Sequence, residues 1–263
     1  MIALLLLLVF SKPLLAKNLE VITAQKKVSL SLQELKTKLK SHSVKINDPI
    51  YQSGKEFDGF LLKDVLELAG VDFSTQADEV IFGTIDGYAP NVTFAKIKTH
   101  RAYVTYQEHG TPGKFALVSQ GKTKISPLPF YLVWEEGNAL AGVPWPYQLV
   151  RLEVVDWKQK YPHVFPEAAA EGSAVMNGFA LFKAECIRCH SMNLEGGDVG
   201  PELNAPLNIT EYWSAENLRA YIQDNSKFRY KSKMPQFTKF TTQQLDELLA
   251  YLLAMKGQKI KNP

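Results

Sequence analysis

Cys186-Ile187-Arg188-Cys189-His190 brings together the most reactive side chains of this sequence. Two thiols with two residues between them, followed at once by an imidazole, form the attachment pattern for a c-type haem. Each thiol adds across one vinyl group and fixes the macrocycle through a thioether, and His190 then reaches the iron as proximal ligand. The axial ligands and the burial of the group set its potential. These are the only 2 cysteines in 263 residues, so one covalent haem uses them both.

Two other chemistries share a Cys-x-x-Cys core. A thioredoxin-like redox pair belongs at a βαβ transition, whereas here Val175, Phe179 and Phe182 recur at i, i+4 and i+7 and lead one apolar helical face into the motif. A zinc site needs two further ligands at short spacing, and His42, His100, His109 and His163 all lie far upstream.

The motif must be positioned by its surroundings. A helix is expected from about Ser173 to Cys189, then the turn-rich loop Gly196-Gly197-Asp198-Val199-Gly200-Pro201-Glu202-Leu203. A second helix covers Trp213 to Gln223 with Ser214 as N-cap. The last opens at Thr241, where Thr241 and Gln244 form a capping box, and carries Leu245, Leu248, Leu249, Leu252 and Leu253 as one apolar stripe. A helix bearing the motif, a loop and a closing amphipathic helix resemble a class I cytochrome c over residues 173–257. The resemblance implies an all-α domain that passes single electrons, and a loop methionine as sixth iron ligand. Of the candidates in the mature chain, Met192 is too close to His190 to reach the opposite face of the haem, Met176 precedes the motif on the same helix and Met255 ends the closing helix. Met234, in Lys233-Met234-Pro235 before the last helix, matches the distal-methionine loop of that family. Pro201 matches its haem-packing proline, whose carbonyl orients the proximal histidine. The strip Lys227-Phe228-Arg229-Tyr230-Lys231-Ser232-Lys233 runs into Met234, and the charges of Lys227, Arg229, Lys231 and Lys233 are expected to steer an acidic redox partner.

The remaining sequence reads as a separate unit. Pro, Ala and Gly accumulate across residues 158–172, which reads as a linker between a first domain over 17–157 and a haem domain over 173–263. The first domain mixes helical and strand signals: a helix opening near Ser29–Leu35, a Gly59 turn feeding an amphipathic helix closed by Gly70, and strands at Glu79–Ile85, Ala102–Tyr106, Phe115–Ser119 and Leu149–Val155. The stretch Phe57-Asp58-Gly59-Phe60-Leu61-Leu62-Lys63-Asp64-Val65-Leu66, then Asp86-Gly87-Tyr88, the 121–129 region and Leu149–Val155 resemble the pterin-binding fold of sulfite-oxidase-type molybdoenzymes. That family binds molybdenum through a cysteine thiolate, and this domain holds no cysteine. The resemblance therefore implies an α+β fold without molybdopterin, serving as a docking or binding module beside the haem. Trp134, Trp145 and Trp157 read as core or interface packing, and His100 and His109 as surface residues.

Composition is ordinary for a globular protein, with 46% hydrophobic and 22% charged residues. A net charge of +3 gives no reason to expect a nucleic-acid partner. Ile2 to Phe10 is an unbroken apolar run, interrupted by Lys12-Pro13 and followed by Ala16. It is too short to span a bilayer and fits a cleaved export signal over residues 1–16, which predicts a periplasmic protein with no membrane span in its mature form. The function expected is that of an exported electron carrier. The alternatives are a small-substrate oxidoreductase whose first domain holds a cofactor and feeds the haem, and a haem-based redox sensor or assembly factor.

Overall fold

The computed structural model describes residues 18–74, 77–120 and 123–260; the expected export signal lies outside them. In chain order the first domain comprises β1 (Leu19–Ile22), β2 (Lys27–Leu30), α1 (Leu32–Lys38), β3 (His42–Asp48), β4 (Ser53–Leu61), α2 (Leu62–Leu68), β5 (Glu79–Thr84), β6 (Asn91–Thr93), α3 (Phe94–Thr99), β7 (Ala102–Glu108), β8 (Val118–Gln120), β9 (Thr123–Ile125), β10 (Tyr131–Trp134) and β11 (Leu149–Val155). One sheet has the order β2-β1-β11-β5-β6 and the other β10-β7-β4-β3. β1 runs parallel to β11, and the other pairings are antiparallel.

Period-two alternation assigns each strand residue to a core. In β10, Leu132 and Trp134 enter the main core between the sheets, while Tyr131 and Val133 enter a smaller cluster with Phe57, Tyr103 and Phe115. β5 alternates in the same way, but between domains. Val80 and Phe82 face the first domain's core, whereas Ile81 joins the core of the haem domain, as does Val155 at the end of β11. Each fully buried side chain of this size contributes roughly 1.5–3 kcal/mol. The helix over 62–68 ends at Ala69 with Gly70 at φ 79°, as expected for a C′ glycine. Gly59 is not a turn: it lies inside β4, paired with Thr105 beside a register shift at Asp58/Gly59. The helix expected near Ser29 starts only after β2, at Ser31, which forms a capping box with Glu34. Phe115 precedes β8 rather than belonging to it.

The second unit contains α4 (Trp157–Lys160), α5 (Ala174–Leu181), the hairpin β12 (Ser191–Met192) and β13 (Glu195–Gly196), α6 (Ile209–Tyr212), α7 (Ala215–Gln223) and α8 (Thr242–Met255). The small hairpin departs from the all-α expectation. The stretch 158–172 is strapped down over its first half rather than free. Tyr161 and Val164 are buried in the second core, and the Tyr251 hydroxyl donates to the Val164 carbonyl at 2.8 Å. Aromatic and branched side chains there override the Pro, Ala and Gly signal. α5 and α8 cross at Gly178, where a Cβ would collide with the Glu247 carbonyl and the Tyr251 side chain. Phe179 and Phe182 then pack their rings on Tyr251, with centroids 5.8 and 5.1 Å away.

Candidate functional site

The attachment motif follows α5 through a change of helical form. The α-helix stops at Leu181, and Phe182–Cys186 continue as a π-turn in which the Ile187 amide donates to the Phe182 carbonyl at 3.0 Å. The expected helix to Cys189 is thus widened before the motif, a device common at functional sites. It turns Phe182 and Ile187 into the core, fully or nearly fully buried, while Cys186, Cys189 and His190 stay at the surface of that core. Both cysteines are free thiols. Burial pushes the Cys186 thiol up to about 12, helped by the Glu185 charge. Burial likewise pushes Cys189 up to about 11. Neither is a reactive thiolate of the thioredoxin kind, for which a lowered value is required. Among the described residues no group of three His, Cys, Asp or Glu side chains is arranged to hold a metal ion.

His190 is oriented by the loop after it. Its Nδ1 donates to the Pro201 carbonyl at 2.8 Å, which assigns the proton to Nδ1 and leaves Nε2 with its lone pair. Burial lowers the His190 pKa against the opposing pull of that carbonyl, and the neutral ring is the form that binds a metal. Gly200 packs against the ring, where a Cβ would overlap its Cε1, Nδ1 and Nε2. Backbone bonds lace this loop to the motif: Gly197 to Ile187 at 2.8 Å, Gly200 to Cys189 at 2.7 Å and Leu203 to Ser191 at 3.0 Å.

A polar network that sequence reading missed holds the loop from behind. Asn193, Asn204 and Asn208 are buried and linked to one another. Their amides donate to the Met255 and Leu252 carbonyls at the end of α8, and to His163 and Gln258, each within 2.9 Å. Glu202 accepts the amides of Asn193, Leu194, Asn204 and Ala205. Burial raises its pKa, but the bonds from Ser191 and from these amides outweigh it and leave the carboxyl below its usual range. Asn in a loop carries no mark of burial in a single sequence; in the structure Asn193 takes φ 56°, a conformation that Asn tolerates.

Met234 is half-buried and packs against the second core, as does Cys186, whereas Met192 and Met255 are wholly buried core residues. Asn225, buried, donates to the Met234 and Pro235 carbonyls at 2.8 and 3.2 Å and so closes the loop that carries the thioether. On the outside of that loop Lys227, Arg229, Lys231 and Lys233 are exposed. Beside it Trp213, Tyr221 and the exposed Phe228 pack ring to ring within 5.9 Å. In the first domain His109 pairs with Asp58 at 2.8 Å and His100 with Glu136 at 2.6 Å, both at the surface.

Free thiols at the right spacing, an imidazole with a tautomer fixed for ligation and a glycine packed close against its ring fit a c-type haem. The bound group would supply a reversible one-electron centre. The comparisons agree. The family model of cytochrome c matches residues 175–256, so the C-terminal region is a cytochrome c domain with a haem-based electron-transfer role. No curated protein matches the chain. No helix among the described residues is long and apolar enough to cross a membrane.

Proposed function

We propose that this protein is an exported c-type cytochrome carrying one haem, bound covalently by Cys186 and Cys189 and ligated by His190 and Met234, that passes single electrons to and from a redox partner protein. The hydrogen bond from His190 Nδ1 to the Pro201 carbonyl carries the reading, because it holds the ring proton on Nδ1 and leaves Nε2 free to ligate. The loop closed by Asn225 offers the Met234 thioether as the second axial ligand, a pairing that gives a raised potential. The exposed cations around that thioether form the docking rim for an acidic partner. The first domain, sulfite-oxidase-like in pattern and without a cysteine, acts as a docking module free of molybdenum.

The test is metal analysis and spectroscopy on the chain matured in a host that attaches haem c. One iron per chain, haem retained after denaturation and no molybdenum support the reading. Replacing Met234 by Ala should abolish the thioether–iron charge-transfer band and open the iron to carbon monoxide. Iron together with molybdenum would make the first domain an active site, and an absence of covalent haem would remove the reading altogether.

A further inference from the structure

The β5–β6 turn of the first domain, Ile85–Pro90, rests directly on the attachment motif. The Ala89 amide donates to the Arg188 carbonyl at 2.8 Å, so a backbone group of one domain is satisfied by the middle of the Cys-x-x-Cys segment of the other. Arg188 pairs with Glu185 at 2.9 Å and its guanidinium also meets the Tyr88 hydroxyl. Gly87, at φ 87°, presents its bare Cα to the Asp198 carboxylate, and a Cβ there would overlap it. Asp86 is held by the Thr84 hydroxyl at 2.6 Å, within electrostatic reach of Cys189. At the other end of β5 the nearly fully buried Glu79 takes the Lys183 ammonium at 2.7 Å, and the same ammonium stands 4.4 Å over the Trp157 ring. A carboxylate so buried is tolerated only when paired. β5 is therefore pinned to the haem domain at both ends, with Ile81 packed into that domain's core between them.

We propose that Ile85–Pro90 is a built-in cover of the haem-attachment turn: it closes the side bonded to Cys189 against solutes and leaves the Met234 side as the entrance for electrons. The inference rests on the reading of Cys186 and Cys189 as haem-attachment residues. The seating uses a backbone bond, a steric fit at a glycine and a buried ion pair, which together make a fixed cover rather than a moving lid.

The test uses the haem-loaded full chain and its Gly87→Ala, Lys183→Met and Glu79→Gln/Lys183→Met variants. Hydrogen exchange at the Ala89 amide reads the seating, and stopped-flow reduction by dithionite reads access to the haem. The Ala89 amide should be protected in the unaltered chain. In Gly87→Ala and in Lys183→Met it should exchange about tenfold faster or more, and dithionite should reduce the haem severalfold faster. Removing both charges in the double variant should restore part of the protection that Lys183→Met loses, because no unpaired carboxylate remains. An amide that exchanges freely in the unaltered chain, one that stays protected in both single variants, or a reduction rate unchanged once the amide is freed would each overturn the cover. Failure of the haem reading looks different: a protected Ala89 amide on a chain without covalent haem.

Discussion

The two sides of the haem-binding region are built by opposite means. Around Cys186–Cys189 the protein uses enclosure: a π-turn that drives Phe182 into the core, the first domain seated on Arg188 and a buried ion pair at Glu79. Around Met234 it uses a single buried asparagine and an exposed cationic rim. On the proposed reading, the edge fixed covalently by Cys186 and Cys189 can be walled in without losing its ligand. An edge that must meet other proteins has to stay open and depends on one or two hydrogen bonds for its shape. The contrast predicts that damage on the first side costs stability and damage on the second costs ligation or encounter rate.

The largest effect should come from Phe182→Ala, which empties a fully buried ring site beside the motif and should lower unfolding stability by about 3–5 kcal/mol in denaturant titration. A loss of about 1 kcal/mol, typical of an average substitution, would mean that the attachment side is no better packed than the rest. Glu202→Gln should cost about 2 kcal/mol, since a neutral amide replaces a charged acceptor of several backbone amides. Its pH signature is specific. The Glu202 pKa is lowered on folding, so its contribution is complete above the ordinary carboxyl value of 4.5 and is lost as pH falls through the lower folded value. The acid limb of the stability profile should therefore flatten in Glu202→Gln. Asn225→Ala should cost about 1–2 kcal/mol and, unlike the first two, should weaken the thioether–iron band while the haem stays attached. Neutralising Lys227, Arg229, Lys231 and Lys233 together should move stability by less than about 0.5 kcal/mol per residue. The same change should slow association with an acidic partner and flatten its dependence on ionic strength. A partner rate that keeps its salt dependence would place docking elsewhere.

The cytochrome c region was legible from the fixed spacing of Cys186, Cys189 and His190, and the capping box at Thr241/Gln244 because a cap demands particular side chains at particular offsets, whereas the Ser31/Glu34 box inside the expected helical stretch was not read. The strands at Glu79–Thr84, Ala102–Glu108 and Leu149–Val155 were legible from their β-branched and aromatic runs, the last with its expected bounds residue for residue, whereas β3, β4 and β10 were not. Three things were hidden. Asn193, Asn204, Asn208 and Asn225 look alike in sequence whether they face water or bind carbonyls in the interior. β5 is buried on both faces, so its run of apolar residues announces a strand without revealing that each face belongs to a different domain. The 158–172 segment looked like a tether because Pro, Ala and Gly dominate it, yet Tyr161 and Val164 suffice to anchor it.

The alternation of Val80, Ile81 and Phe82 between two cores has a consequence for how the chain melts. A strand that is a wall of both compartments cannot leave one without exposing the other. The two halves should therefore come apart in a single calorimetric transition, and neither can be lifted out and grafted elsewhere as a self-sufficient cassette.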